Sequence, residues 1–410
     1  MKKLSILLAA LLSLTGCAAP AADLMHGITP NPVFARELTE VSDAAVTDFA
    51  LRLFRAGMEE GENTLLSPLS VLAALSMTAN GAKGETLSQM ESVLGMPVEE
   101  LNTWLHIYMA NLPREEEYKL HLANSIWFTD NPTFTVNEAF LQTTADYYDA
   151  GIYRAPFDAA TCDAINRWVK DNTDGMIPQI LDQIPEDAVM YLVNALAFDA
   201  KWQEPYSEYQ IRDGDFTTED GTKQTAQMMY AEENRYLEDG KTVGFVKYYE
   251  DRKYAFAALL PEEGMTVAEY VSTLTGERLQ EILTSAEAVT VETALPQFTV
   301  EYDVEMSDIL QSMGMTDAFD GKLADLSGLG SSTDGPLVIN RVLHKTYIAV
   351  DGMGTKAGAA TAVEVVTETA MESPEPEPKQ VYLDRPFVYL LIDCETNLPF
   401  FIGTFMTIPE

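Results

Sequence analysis

Between residues 352 and 380 the chain reads GMGTKAGAATAVEVVTETAMESPEPEPKQ, and no other stretch constrains the fold as much. It opens with Gly and Ala, passes through Thr and Val, and closes in a Pro-Glu run. The segments on either side, LVINRVLHKTYIAV at 337–350 and RPFVYLLID at 385–393, carry strong strand signals. So long a connection inside a compact domain is uncommon and is usually functional. Any architecture for this chain has to accommodate it between two strands.

Elsewhere, helical periodicity comes first and strand signals dominate later. Residues 43–56 place Val46, Phe49, Ala50, Leu53 and Phe54 on one helical face. At 63–85, NTLLSPLSVLAALSMTANGAKGE offers Ser67 as an N-cap and Pro68 at the first helical position, where its missing N–H goes unused. Gly81 suits the end of that helix. A third helix is expected from about Glu85 to Leu94, stopped by Gly95, with others at 137–149, 162–172 and 303–313. AVMYLVNALAF at 188–198 is nearly all apolar and reads as a strand buried on both faces. YAFAALLP at 254–261 and AVTVETALP at 288–296 also read as strands. Helices early and strands late argue an α+β fold rather than alternating βαβ units.

The N-terminus reads as a secretory signal: Lys2 and Lys3, then an apolar run from Leu4 to Leu14. The signal ends in Leu14-Thr15-Gly16-Cys17, which resembles the bacterial lipoprotein processing box, with cleavage before Cys17 and a lipid on its thiol. The alternative is an ordinary signal with an incidental cysteine. On the lipoprotein reading, 1–16 are signal, 17–38 a flexible, lipid-anchored spacer, and 39–410 the folded domain. The expected location is extracytoplasmic, tethered to a bacterial envelope or surface or released from it. Beyond the signal, no stretch is apolar for long enough to span a bilayer as a helix. With 64 acidic and 26 basic residues the net charge is −38, which repels nucleic acid and anionic membrane surfaces. Cys162 and Cys394 remain; they could pair, but two buried, reduced thiols are the reading taken here.

Eight stretches, in order, carry a family resemblance. They are NTLLSPLSVLAALSMTANGAKGETLSQM at 63–90, LANSIWF at 122–128, INRWVKDNTDGMI at 165–177, YLVNALAFDAKW at 191–202, LPQF at 295–298, MGMTDAFDGKLADLSGL at 313–329, HKTYIAVDGMGTKAGAAT at 344–361 and DRPFVYLLID at 384–393. Over about 45–410 the chain resembles the serpins, the last stretch matching their C-terminal signature. The resemblance implies an α+β fold of roughly nine helices around three sheets with an exposed reactive loop, here about 352–380. It implies an inhibitor that acts as a suicide substrate. A serine protease attacks the loop and forms a covalent acyl-enzyme. The cut loop then enters the central sheet, releases stored strain, and distorts the protease before its ester is hydrolysed. A non-inhibitory surface binding or adhesion protein of the same fold is the rival reading.

The loop's own chemistry bears on that choice. In a strand, alternate residues share a face. Thr355, Ala357, Ala359, Thr361, Val363 and Val365 form one set, all small or β-branched. Lys356, Gly358, Ala360, Ala362 and Glu364 form the other and hold both charges. With Thr355 inward, as in inhibitory relatives, Lys356 and Glu364 are expected to stay in solvent. Pro374, Pro376 and Pro378 follow the stretch that would insert, where their missing N–H does no harm. The hinge implied by the resemblance is Gly354, Thr355, Lys356, Ala357, Gly358, Ala359, Ala360 and Thr361. Two features depart from the family: Gly352 and Met353 stand where Glu is frequent, removing an ion pair at the top of the sheet, and Gly358 replaces a frequent Ala.

Counting from Gly354 to the family's usual cut position reaches Glu368–Thr369, which would select a Glu-directed protease. The loop is longer than usual before DRPF, so Val366, Ala370 and Met371 are alternative bait residues; these suit an elastase-like pocket. The resemblance also implies a polar switch of Ser67, Ser70, Asn194 and His344, and gives Trp202 as the point where the loop first enters. A helix cap, a satisfied core histidine and a core tryptophan are the plainer readings of Ser67, His344 and Trp202. The four histidines, His26, His106, His121 and His344, fit no triad or zinc pattern, and there is no GxSxG elbow. No enzyme, cofactor or metal is therefore expected; the resemblance implies a serine protease as partner, the anchor implies a membrane, and a monomer is expected.

Overall fold

Helix Pro68–Ala79 lies at the centre, and all twelve of its residues are buried. It carries no charged side chain, as a helix surrounded by core requires. The structure, a computed structural model, describes residues 21–33, 40–112, 119–185, 188–250, 252–333, 335–355 and 377–409. Among these are nine α-helices and three larger sheets of seven, six and four strands, with a separate two-stranded ribbon. The α+β expectation stands.

The helix begins as expected, Ser67 Oγ accepting from the Ser70 N–H at 3.3 Å. It ends differently. The C-cap is Asn80, in the right-handed region, and Gly81 has no positive φ. Gly81 is required for close approach instead: a Cβ there would lie 2.2 Å from a Leu329 side-chain carbon. Gly95 does stop its helix, Gly84–Leu94, in the left-handed conformation at φ 84°. The helix expected at 303–313 is shorter, Ser307–Ser312, because the strand Phe298–Glu305 runs through its first residues.

The seven-stranded central sheet runs in the order Ala22–Asp23, Gly151–Ala155, Lys119–Thr129, Met190–Lys201, Gly354–Thr355, Arg341–Val350, Phe298–Glu305. Met190–Lys201 and Arg341–Val350, here called the gap strands, pair directly and in parallel from Arg341↔Tyr191 to Thr346↔Leu196. Past that they fork. The inner face of the sheet packs on the main core with helix Pro68–Ala79. Its outer face packs a second core, in which Trp127, Tyr191, Val193 and Leu343 meet Ile165 and Val169 of helix Ala159–Asn172.

The expected spacer, 17–38, is described only over 21–33, and there it is not free. Ala22 and Asp23 pair with Arg154 and Tyr153, and the Leu24 N–H donates to Ile152 O at 2.8 Å. Asn31 donates from its backbone and its amide to Asp146 at 2.7 and 3.1 Å. A strand of two residues is too short to leave a periodic signal. Cys162, buried, donates to Leu181 O, whereas Cys394 is only partly buried and is held by a different part of the core. Among the described residues no helix is long and apolar enough to cross a membrane.

Candidate functional site

The fork between the gap strands is occupied. Gly354 and Thr355 form a two-residue strand opposite Lys201 and Ala200, and Thr355 also pairs with Val350. Both pairings are antiparallel. Gly354 has to be glycine, since a Cβ would stand 2.1 Å from the Ala200 carbonyl oxygen. Thr355 is 1% exposed, with its hydroxyl directed inward to that of Tyr249 at 2.5 Å.

A tight turn delivers these residues to the fork. Asp351 Oδ1 accepts from the N–H groups of Met353 and Gly354 at 2.7 and 3.2 Å. Trp202 donates its indole N–H to Asp351 O at 2.8 Å and its backbone N–H to Met353 O at 2.9 Å. The Tyr206 N–H donates to Gly352 O at 2.7 Å. These bonds hold the turn, in which Gly352 and Met353 have no charged side chain to offer an ion pair. Trp202, buried, stacks on Tyr249 with centroids 4.5 Å apart and planes 9° apart. Beside them Lys247, 2% exposed, lies over the Tyr206 ring and bonds Glu233 at 2.7 Å. Burial pushes the Glu233 carboxyl up, and Lys247 draws it back.

Below the fork, where the gap strands pair directly, Ser67, Ser70, Asn194 and His344 are all fully buried and converge. The Ser67 N–H donates to His344 Nε2 at 3.1 Å, which leaves the ring proton on Nδ1, 2.5 Å from Asn194 Oδ1. Asn194 Nδ2 donates to Leu343 O at 3.1 Å. Ser70 Oγ lies 3.1 Å from both Ser67 O and Asn194 Oδ1, so its single proton chooses between them. Burial drives the His344 pKa down to about 3, consistent with a neutral ring. Two of these bonds, His344–Asn194 and Asn194–Leu343, tie one gap strand to the other. Separating the strands must break them, and buried polar groups then need new partners.

The remaining loop residues lie outside the described residues: hinge positions Lys356, Ala357, Gly358, Ala359, Ala360 and Thr361, and bait candidates Val366, Glu368, Thr369, Ala370 and Met371. Cys17 does too. The far end of the loop returns as Lys379–Tyr382, parallel to Val291–Pro296 in the four-stranded sheet. Its ends thus belong to two different sheets, and the strand pairs begin inside the expected 352–380 limits. Sequence reasoning missed Asp351, Tyr206, Lys247 and Tyr249. Only Lys247 left a signal, as a lysine within the apolar strand Thr242–Tyr248.

The site is thus a seven-stranded sheet with a forked pair of central strands, the start of a loop held at the fork and a polar tie between the two strands below it. A family model described as Serpin (serine protease inhibitor) matches residues 44–408, and the chain belongs to the serpin family. Bovine leukocyte elastase inhibitor is 32% identical over 381 residues, covering 89% of this chain and 98% of that one. The thermophilic serpin tengpin in its native state superposes with a TM-score of 0.90 at 46% identity, covering 95% of this chain and 100% of that one. Tengpin in its latent state gives 0.80 at 44% identity, covering 92% and 100%. Serpins are generally protease inhibitors rather than enzymes.

Proposed function

We propose that this chain inhibits serine proteases as a suicide substrate. The protease's serine oxygen attacks the carbonyl carbon of the bait residue. The peptide bond breaks, the following residue's nitrogen leaves as an amine with a proton, and an ester joins protease to loop. Insertion then outruns attack by water. The observation that carries this reading is the occupied fork, with Thr355 already inward between the gap strands and an insertable sequence directly after it.

The length of the loop fits. Residues 354 to 365 would run antiparallel to both neighbours, opposite the twelve residues of Met190–Lys201. One parallel interface would be exchanged for two antiparallel ones, the slightly more stable pairing per residue. The small, apolar residues around Glu368 favour an elastase-like target, and Glu368 itself a Glu-directed one. The signal ending in Cys17 supports a lipid-anchored, extracytoplasmic location.

The test is incubation with elastase-like and Glu-specific serine proteases. A denaturation-resistant covalent complex is expected, with the released C-terminal fragment beginning just after the bait residue. Loop-cleaved protein is expected to melt far above intact protein. If it melts no higher and the protease stays active, the chain is a non-inhibitory serpin.

A further inference from the structure

Where a strand enters a sheet matters less than its register once there. A shift of one residue turns every side chain to the opposite face. In this chain one buried side-chain contact lies where that register begins, beside the backbone pairings of Gly354 and Thr355. Tyr249 is fully buried between Trp202 and the hinge, and its hydroxyl meets that of Thr355 at 2.5 Å. The backbone of Tyr249 also bridges that of Trp202, which in turn holds the 351–354 turn. The phenol is therefore fixed to the same element that delivers the loop.

We propose that Tyr249 is a positioning residue for loop insertion, seating Thr355 inward at the first rung so that the register of every later rung is set before any bond is cut. This rests on the insertion reading above. Its consequences follow from the pairings Thr355↔Ala200 and Thr355↔Val350, both antiparallel. Carried down the gap, Lys356 comes opposite Asp199 on one gap strand, and Glu364 comes opposite Arg341 on the other. Asp199, Arg341, Lys356 and Glu364 all fall on the outer face, since Ala200 and Val350 lie on the inner one.

Each loop charge thus acquires an opposite charge across the ladder, a favourable cross-strand pair. On this proposal Glu364 would be partly covered rather than simply in solvent. On its other side it meets Tyr191, which is buried under helix Ala159–Asn172, so Arg341 is the partner that makes the position tolerable. A slip of one residue would turn Lys356 and Glu364 into the core, where unpaired charge is costly. A slip of two keeps the faces but sets Lys356 against Lys201 or Ala197 in place of Asp199. Only the register that Tyr249 seats satisfies both charges.

The test starts with the uncut protein and needs no protease. Hydrogen–deuterium exchange of the 351–355 backbone is compared in wild type, Tyr249→Phe, Thr355→Val and the double variant. Loss of a buried hydrogen bond predicts hinge exchange faster by roughly tenfold in each single variant. The double variant should exchange no faster than the faster single one, because both remove the same contact. Thr355→Val keeps a β-branched side chain at the start of the loop, so the inference remains testable if Tyr249→Phe does not fold. A second readout is the number of molecules consumed per protease trapped, expected to rise several-fold in both single variants while the rate of first encounter holds. Unchanged hinge exchange, or effects that add in the double variant, would overturn the proposal. Hinge coupling in a wild-type chain that traps no protease would overturn the inhibitor reading and leave the role of Tyr249 standing.

Discussion

Acidification below pH 6.5 should weaken the tie between the gap strands, and His344 sets the amount. In the native state its ring is neutral, with Nε2 accepting from the Ser67 N–H and the Nδ1 proton facing Asn194 Oδ1. A second proton on Nε2 would point at another donor. Burial accordingly lowers the pKa to about 3, against about 6.5 in an unfolded chain. Between those values the unfolded state binds a proton that the native state refuses. Stability is therefore fully present above pH 6.5 and falls as the pH drops toward 3, by ~1.4 kcal/mol per unit. At pH 4.5 the loss is about 3 kcal/mol. Glu233 and Asp393, whose pKa values burial raises, contribute with the opposite sign, so wild type alone is not decisive. The control is His344→Gln, whose amide can donate to Asn194 and accept from Ser67 without titrating. Urea unfolding at pH 7.5 and 4.5 should show the wild type losing about 3 kcal/mol more than the variant. Equal losses in the two proteins would refute the assignment of a neutral, buried His344.

Asn194→Ala removes the acceptor facing His344 and the donor to Leu343, and should lower stability by about 1–3 kcal/mol while speeding spontaneous loop insertion, read as a rise in heat-resistant protein on storage. Thr355→Arg places a charge where the wild-type side chain is 1% exposed, so the loop should still be cut while protease activity returns in full within the assay. Lys247→Met leaves the Glu233 carboxylate buried without its partner and should cost about 3–5 kcal/mol by thermal unfolding, with Lys247→Met/Glu233→Gln recovering most of it.

Much of the fold was legible because the long elements obey their periods. Ser67 and Pro68 announce the start of the central helix, and the apolar run at 188–198 announces a gap strand. Helix Val98–Ala110 was equally legible, with Val98, Leu101, Leu105 and Tyr108 at helical spacing, but it went unread. The short pieces were not legible. Ala22–Asp23 and Gly354–Thr355 have two residues each, and their strand character comes entirely from the neighbour they meet. The same holds for the site. Ser67, Ser70, Asn194 and His344 could be picked out through the family resemblance, and they do converge. Tyr249 and Asp351 could not, because a tyrosine beside a strand and an aspartate after one carry no local mark. Their roles arise from a turn and a fork assembled from segments about 100 residues or more apart.

Most β-sheets recruit new strands along their flanks, and the central sheet here offers little purchase on either side. One flank is covered by the short N-terminal strand, continued by a chain that is tied down through Leu24 and Asn31. The other is Phe298–Glu305, which carries Glu301, Asp303 and Glu305, with Lys345 reaching the first two from the next strand. Acidic side chains and a short terminal strand both discourage lateral growth. With both described flanks blunted, the proposed insertion enlarges the sheet from the middle. Any foreign strand entering there would compete with Gly354 and Thr355, which already hold the entrance.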